Sequence, residues 1–538
     1  MADHQEAAPP GTVGLDVLVV GAGPTGLTLA AQLAALGVRV RLIDRAADRV
    51  HESRALAIQP RTLEVLAGLG ATGELVAAGN TAVRLCLHAR GRARSVPLFD
   101  LGLKDTAYPY LLLLSQAETE RILGEHVAAA GARVERGVEL AGLDRSGDGV
   151  RATLRHADGR TEPVPARYVV GCDGAHSTVR RLAGIEFAGG AYPQTFVLAD
   201  LDADGIEPGM AHAFLSERGM LFFFPLGHPA GWRLLVMRPP TDVVPPDAPV
   251  TLAEVQAFAD AYTRGTVRLR RPVWMTNFRL HHRAATRYRS GPIFLAGDAA
   301  HIHSPAGAQG MNTGIQDAVN LGWKIAQTVR GGADPSLLDT YETERAPVGR
   351  LVLRFTDRAF NVATSTNPVV RFMRTRIAPA LIPLVLAPRF VRSTAFRTVS
   401  QLGITYRDSP LSAEGPRAPA TGPRAGDRLP DAPLPDGGTL HGLTAAPRWH
   451  LLLCGPPAAW SSAGTAALTR RYAGRLDVHR LSEPDATQVS AARLWRRLGL
   501  TAGVGGLYLI RPDGHIGYRA GGAELTGVLT YLERWLHG

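Results

Sequence analysis

The chain opens on a short apolar run, Leu15 to Val20, rich in valine and leucine, which predicts a strand buried on both faces. Thr25 to Leu36 then carries apolar residues at helical spacing, and Val38 to Ile43 is a second apolar run ending at Asp44. Strand, helix and strand in this order predict a βαβ unit. Val83 to Pro109 has broken alternation and several glycines, so loops and short strands are expected there. Gln116 to Ala130 predicts a helix. Strands are expected near Arg133–Val138 and Val150–Leu154, and a buried one at Tyr168–Gly171 that runs into Asp173-Gly174. From Phe196 to Met237 the pattern is alternating and aromatic, which predicts a largely antiparallel sheet. Ile293–Ala296 is a further buried strand before Gly297-Asp298, and Thr313 to Val329 has the spacing of a helix.

Ser409 to Gly438 is dense in proline and glycine and reads as a linker. Beyond it, Trp449–Cys454, Leu476–Leu481, Leu507–Arg511 and Ile516–Arg519 read as strands of a small α/β module with a final helix. Its element order resembles thioredoxin, but Cys454 stands alone without a C-x-x-C pair. Packing or association, not redox chemistry, is expected of it.

Composition narrows the class. At 538 residues the chain exceeds one ordinary domain, and 45% hydrophobic with 20% charged residues is a globular balance. The net charge of +11 raises a nucleic-acid reading, but the basic residues are scattered along the whole chain. Only Lys104 and Lys324 of the 59 basic residues are lysines, which fits a genome-wide preference for arginine codons better than a binding patch. No nucleic-acid partner is expected. Cys86, Cys172 and Cys454 are far apart and odd in number, so neither a disulfide framework nor a metal motif is expected. A reducing cytoplasm suits them. Val17 to Val38 is uncharged, but Gly21, Gly23, Pro24 and Gly26 interrupt it and no basic segment precedes it. It therefore reads as neither signal nor membrane span. Ile377 to Ala387 is too short to span and carries prolines, so a cytoplasmic protein without a membrane partner is expected.

Gly21-Ala22-Gly23-Pro24-Thr25-Gly26 fits G-x-G-x-x-G between a strand and a helix, with Asp44 at the tip of the next strand 18 residues on. The first glycine permits the tight turn, the second lets a pyrophosphate approach the backbone, and the third lets helix pack on strand. The helix start offers N–H groups and partial positive charge to phosphates, and Asp44 can accept from an adenosine ribose. Dinucleotide binding follows, without separating NAD from FAD. Two later blocks bear on that choice. Tyr168 to Arg180 is a strand running into Asp173-Gly174 and a short basic segment. Phe294 to His301 is a strand delivering Asp298, followed by Pro305-Ala-Gly307-Ala-Gln-Gly310-Met311-Asn312 and a helix.

In this order and spacing the three blocks resemble the single-component (class A) FAD-dependent aromatic hydroxylases related to p-hydroxybenzoate and phenol hydroxylase. The resemblance is to the larger branch that acts on polyketide antibiotics and carries a C-terminal thioredoxin-like domain. It covers the chain from Val17 to about Arg519. It implies an α/β fold in which a Rossmann-like, glutathione-reductase-type FAD-binding domain is interleaved with an antiparallel-sheet substrate domain. The expected boundaries are 1–82, 110–185 and 280–400 for FAD, 83–109 and 186–279 for substrate, a linker at 401–438, and the thioredoxin-like domain at 439–538.

The resemblance further implies that Gly21, Gly23, Pro24 and Gly26 hold the pyrophosphate, and Asp44 with Arg45 the adenosine ribose end. It places Arg54 near the phosphates and flavin, Gln116 on the ribityl chain and Asp298 on ribityl and phosphate. Asp173 belongs to a second fingerprint that serves both FAD and the nicotinamide cofactor. Pro305, Gly307, Gly310, Met311 and Asn312 form the loop and helix start beside the flavin, whose N–H donors suit the negative charge of reduced flavin.

Only one G-x-G-x-x-G is present, so NADPH or NADH is expected to dock transiently without a Rossmann domain of its own. The expected reaction takes NAD(P)H and O2 and, by way of a flavin C4a-hydroperoxide, hydroxylates a bulky phenolic, polyketide-like substrate. Baeyer–Villiger oxygen insertion on a related ketone is an open alternative, as is a non-catalytic flavoprotein that sequesters an aromatic compound. His301 and His303 flank the flavin loop and read as a structural pair; no catalytic base is assigned.

Overall fold

The Leu15–Val20 strand pairs in parallel with Thr161–Gly171 on one side and Val40–Asp44 on the other. Ile293–Leu295 extends this sheet beyond Thr161–Gly171, and Val134–Arg136 extends it beyond Val40–Asp44. With neighbours on both edges and helices packed on the sheet, Val17, Leu18 and Val19 are fully buried, which is why an unbroken apolar run is tolerated there. The Pro24–Ala35 helix packs against Gln116–Ala129 and Gly310–Val329. The computed structural model describes residues 14–537 apart from 50–54, 83, 90–91, 98–102, 148, 217–218, 228–229, 240–241, 243, 246–247, 305–306, 366, 378–380, 382–384, 386–387, 436, 484–488 and 502.

A second sheet of eight strands is built on two long antiparallel partners, Phe187–Asp204 and Arg268–Ala285. Trp232–Met237, Gly219–Pro225 and Ala211–Ser216 follow in antiparallel order, Arg84–Ala89 joins parallel to Ala211–Ser216 with Arg92–Pro97 antiparallel to it at one edge, and His301–Ile302 pairs with Arg268–Ala285 at the other. The first long strand starts nine residues before the predicted aromatic stretch, and Arg268–Ala285 was not predicted. Its sequence mixes arginines into both faces, so period-two alternation is blurred and pairing, mainly along Phe187–Asp204, defines it.

The two faces of this sheet differ in purpose. Val197, Ala199, Leu221, Phe223, Leu234 and Val236 pack with Val255 and Ala259 of the Leu252–Thr263 helix. The opposite face carries Phe222 and Phe224, and Phe224 packs, as do Leu56, Leu111 and Ala308, against the buried pair Ala57 and Leu113.

The C-terminal sheet runs Ala413–Glu414, Ile516–Gly521, Gly506–Ile510, Trp449–Cys454, Leu476–Leu481. Trp449–Cys454 is parallel to Leu476–Leu481 and antiparallel to Gly506–Ile510. The proline-rich stretch read as a linker lies along this module. Ala413–Glu414 pairs with its edge, and Leu411, Leu429, Ala432 and Leu434 are buried. Cys454 is fully buried, and burial pushes its thiol up to about 12, so it has no thiolate for exchange. Among the described residues no helix is long and apolar enough to cross a membrane.

The module is docked through buried charge. Arg511 donates to Glu344 at 2.6 and 2.8 Å and to Asp513 at 2.5 Å, while Lys324 Nζ donates to Glu344 at 2.8 Å. Asn320 and Ser409 supply further donors to Glu344. Arg61 reaches the Asp513 carbonyl at 2.7 Å, and Arg428 pairs with Glu64 at 2.7 Å. Arg511→Leu leaves Asp513 and part of Glu344 buried without a counter-charge. We expect it to cost about 3–5 kcal/mol in urea unfolding, with the module and the first domain destabilised together.

Candidate active site

Because Leu15–Val20, Thr161–Gly171 and Ile293–Leu295 are parallel neighbours, their carboxyl ends lie side by side. That register brings the Gly21–Gly26 turn, Asp173-Gly174 and Gly297-Asp298 to one end of the sheet, where open α/β sheets bind ligands. The two outer glycines of the first turn are there for close packing. Gly21 has φ +103°, and a Cβ on it would lie 2.4 Å from the Cys172 carbonyl; one on Gly26 would lie 1.9 Å from the Gly21 carbonyl. A Cβ on Gly23 would meet nothing within 4 Å. The turn therefore presents open space at its middle glycine, beside a helix start with Pro24 in its first turn, as a pyrophosphate cradle requires.

Asp44 accepts from the Ala22 N–H at 2.7 Å and the Ala46 N–H at 2.8 Å, tying the turn to the next strand tip; Arg45 is exposed beside it. Gln116 opens the Gln116–Ala129 helix, accepts from the Ala55 N–H at 3.2 Å and donates to Glu120 at 2.8 Å. Asp173 caps the Thr178–Leu182 helix, accepting from Ser177 Oγ at 2.5 Å and the Thr178 N–H at 2.6 Å. Burial nonetheless pushes its carboxyl above the usual range. Arg180 then ties the second block to the third: it donates to the Ala299 and Ala175 carbonyls at 2.8 Å, with its guanidinium 3.7 Å over the Phe187 ring.

Asp298 stands exposed on the single turn Gly297–Ala299, and one of its carboxylate oxygens is 4.0 Å from the position of a Cβ on Gly310. The adjoining helix begins at Gly310, three residues before the predicted start, so Gly310, Met311 and Asn312 form its first turn. Their N–H groups have no carbonyl partner within the helix. The Asn312 side chain, however, is spent inside the protein. It accepts from the Gln59 N–H at 2.7 Å and donates to the Ala57 and Ala308 carbonyls at 2.8 Å. Gly307 is exposed, and its carbonyl accepts from Gln59 and Gln309 at 2.9 and 2.7 Å. Arg54 and Pro305 lie outside the described residues.

His301 is fully buried and bonded to Asp317 at 2.6 Å, and His303 bonds to His301 at 2.9 Å. Burial, with His301 alongside, holds His303 well below its ordinary basicity. Both rings belong to the scaffold of the loop.

Several residues of the site went unread in the sequence. Thr25 fills the space left by Gly297 and Gly314, and Gln59, Gln309 and Gln401 brace the 307–312 loop. Arg233, on the aromatic face, pairs with Asp200 and donates to the Ala55 carbonyl at 3.1 Å, joining the second sheet to the first domain. Only Thr25 had a signal, its place inside the fingerprint; the others are lone polar residues whose partners are remote in sequence.

A dinucleotide turn, two carboxylate loops and a helix start under an aromatic sheet face define a flavoprotein oxidoreductase. Residues 14–356 match the FAD binding domain family, and residues 422–537 match the family of the aromatic-ring hydroxylase C-terminal domain. The chain belongs to the FAD-dependent aromatic-ring monooxygenases. It is 39% identical to 6-methylpretetramide 4-monooxygenase of Streptomyces rimosus over 97% of this chain and 94% of that protein. It is 32% identical to pentachlorophenol 4-monooxygenase of Sphingobium chlorophenolicum, over 97% of this chain and 96% of that one. The solved ternary complex of aklavinone-11 hydroxylase with FAD and aklavinone superimposes with a TM-score of 0.79 at 28% identity, covering 99% of both chains.

Glu120 makes the site's surroundings pH-sensitive. Burial, aided by the charge on Asp44, pushes its carboxyl up to about 7 against the hydrogen bond from Gln116. The folded chain thus keeps this proton in a range where the unfolded chain, near 4.5, has lost it, so stability falls as pH rises from about 4.5 to 7. Glu120→Gln should gain up to about 3 kcal/mol at pH 8 and nothing at pH 4, measured by unfolding at both pH values.

Proposed function

We propose that the chain binds FAD across the three strand ends and uses NAD(P)H and O2 to hydroxylate a bulky phenolic compound of polyketide type. The observation that carries this is the open space at Gly23, at the same sheet end as the Asp298 loop, whose neighbouring helix starts at Gly310. Gly21, Gly23, Pro24 and Gly26 seat the pyrophosphate, Asp44 and Arg45 the adenosine end, and Arg54, Gln116, Asp173 and Asp298 the middle of the cofactor. Gly307, Gly310, Met311 and Asn312, with Pro305, meet its ring, Asn312 through its backbone only. Bound FAD supplies hydride acceptance and oxygen activation. The protein contributes first-turn N–H groups that favour negative charge at the helix start, and a wall that keeps water out. Phe222 and Phe224, stacked at 5.7 Å between ring centres, offer a flat surface to a fused-ring aromatic. The matches over nearly the whole chain to 6-methylpretetramide 4-monooxygenase and to the complex of aklavinone-11 hydroxylase with aklavinone support this substrate class.

The first test measures NAD(P)H oxidation under air by the FAD-loaded protein with a panel of polycyclic phenols. Stimulation with a product one oxygen heavier, the oxygen on a ring carbon by NMR, is the expected result. Oxygen inserted beside a carbonyl, or tight binding of the aromatic without product in a single turnover, would overturn it. The cradle is tested separately. Gly23→Ala should fold as wild type, because its methyl meets no protein atom, yet bind FAD roughly 10–100-fold more weakly, the cost of about 1–3 kcal/mol of crowding. Gly26→Ala should instead destabilise the apoprotein, since its methyl collides with the Gly21 carbonyl.

A further inference from the structure

We propose that Cys86, His88 and His212 form a binding site for a divalent cation of the zinc class, on the sheet face turned away from the flavin loops. Cys86 and His88 are two apart on Arg84–Ala89 and so point to the same side of the strand. The parallel register with Ala211–Ser216 sets His212 beside Cys86 and Phe214 beside His88. One thiol and two ring nitrogens thereby fall within 4.8 Å of one another. Ligand atoms around one tetrahedral zinc stand about 3.3–3.7 Å apart, given bonds near 2.0 Å to nitrogen and 2.3 Å to sulfur. The two ring nitrogens stand 2.9 Å apart, so taking up an ion requires them to part by about 0.4 Å and the thiol to draw in.

The two rings already face one another. His212 Nε2 lies 2.8 Å from the Glu207 carbonyl, which can only accept, so Nε2 carries the proton and Nδ1 is a bare lone pair. That lone pair faces His88 Nε2 at 2.9 Å. A carbonyl fixing the tautomer of a ligating histidine is the usual outer support of a metal site. His88 stacks on Phe214 at 4.1 Å and His212 meets Trp232 edge-on at 5.8 Å, which holds both rings in plane. Cys86 is 7% exposed and His212 2%, while half-buried His88 leaves a way in from solvent. The charges acting on Cys86 are the exposed Glu207 carboxylate and Arg84. Glu207 or water is left for the fourth position. A neutral hydrogen bond between the two rings would account for the histidines but leaves the thiol beside them without a part.

The second such group, His450, Asp477 and His479, lacks a thiol, and Arg448 lies 3.5 Å from its carboxylate. It serves as the control. Bound at the first group, the ion would staple Arg84–Ala89 to a strand that lies 124 residues further along the chain.

The test is calorimetric titration of Zn2+ into the chelator-treated, FAD-loaded full chain, with melting temperature and flavin spectrum recorded alongside. One equivalent should bind with proton release and raise the melting temperature. Cys86→Ser and His212→Gln should each weaken binding about 100-fold or more, with the flavin spectrum unchanged. His88→Gln, at a half-buried position that a folded chain tolerates more readily, should do the same. His479→Gln should leave the titration unchanged. Binding unaffected by His88→Gln, abolished by His479→Gln, or absent from the wild-type chain would overturn the site.

Discussion

Asp317 is the residue on which the geometry of the flavin end depends. It is fully buried inside the Gly310–Val329 helix and accepts from Arg345 at 2.6 Å, from His301 at 2.6 Å and from the Gly297 N–H at 3.0 Å. Burial alone would drive its carboxyl neutral; the Arg345 guanidinium and His301 hold it below the usual range instead. One carboxylate thus fixes both the loop that carries Asp298 and the helix that starts beside it. Arg345 extends the anchor, donating to the Thr313 carbonyl and to Tyr406 Oη. A buried pair of this kind is costly to break because either partner left alone is an uncompensated charge. The loop and helix start are therefore set at fixed distance before any ligand arrives, which is how a scaffold holds a cofactor in one orientation.

Arginine is the material of the junctions. Arg233 joins the aromatic sheet to residue 55, Arg180 joins two cofactor loops, and Arg61, Arg428 and Arg511 join the C-terminal module to the first domain. A planar guanidinium with five donors can satisfy a carboxylate and a carbonyl at once, which an ammonium cannot do with the same geometry. The basic composition read as codon preference therefore also has a structural use in its buried members. The C-terminal module, with one inert thiol, acts as a buttress: its Arg511 and Asp513 close over Asn320, Trp323 and Lys324 of the helix that begins at the flavin loops.

What the chain determined locally is clear in particular elements. Leu15–Val20 appears with the bounds its apolar run predicts, and Trp449–Cys454 and Leu476–Leu481 do likewise. The Gly21–Gly26 turn was legible from the spacing of its glycines; Gly26 answers the Gly21 carbonyl five residues before it, whereas the demand on Gly21 comes from the remote Cys172 carbonyl and Gly23 faces open space. Signals of this kind depend on residues within a few positions of one another, so periodicity and glycine spacing carry them.

Tertiary structure decided the rest. Arg268–Ala285 is a strand because Phe187–Asp204 lies beside it, against a pattern with charge on both faces. Asn312 reads in sequence as part of a helix start that offers backbone N–H groups, and nothing there foretells that its side-chain amide closes on Ala57, Gln59 and Ala308, partners chosen by packing. Cys86, His88 and His212 show no metal spacing along the chain and converge only through a parallel pairing across the sheet. The physical reason is common to all three. Sequence dictates what a segment can satisfy by itself, whereas buried polar groups and paired strands must be satisfied by whatever the fold brings next to them.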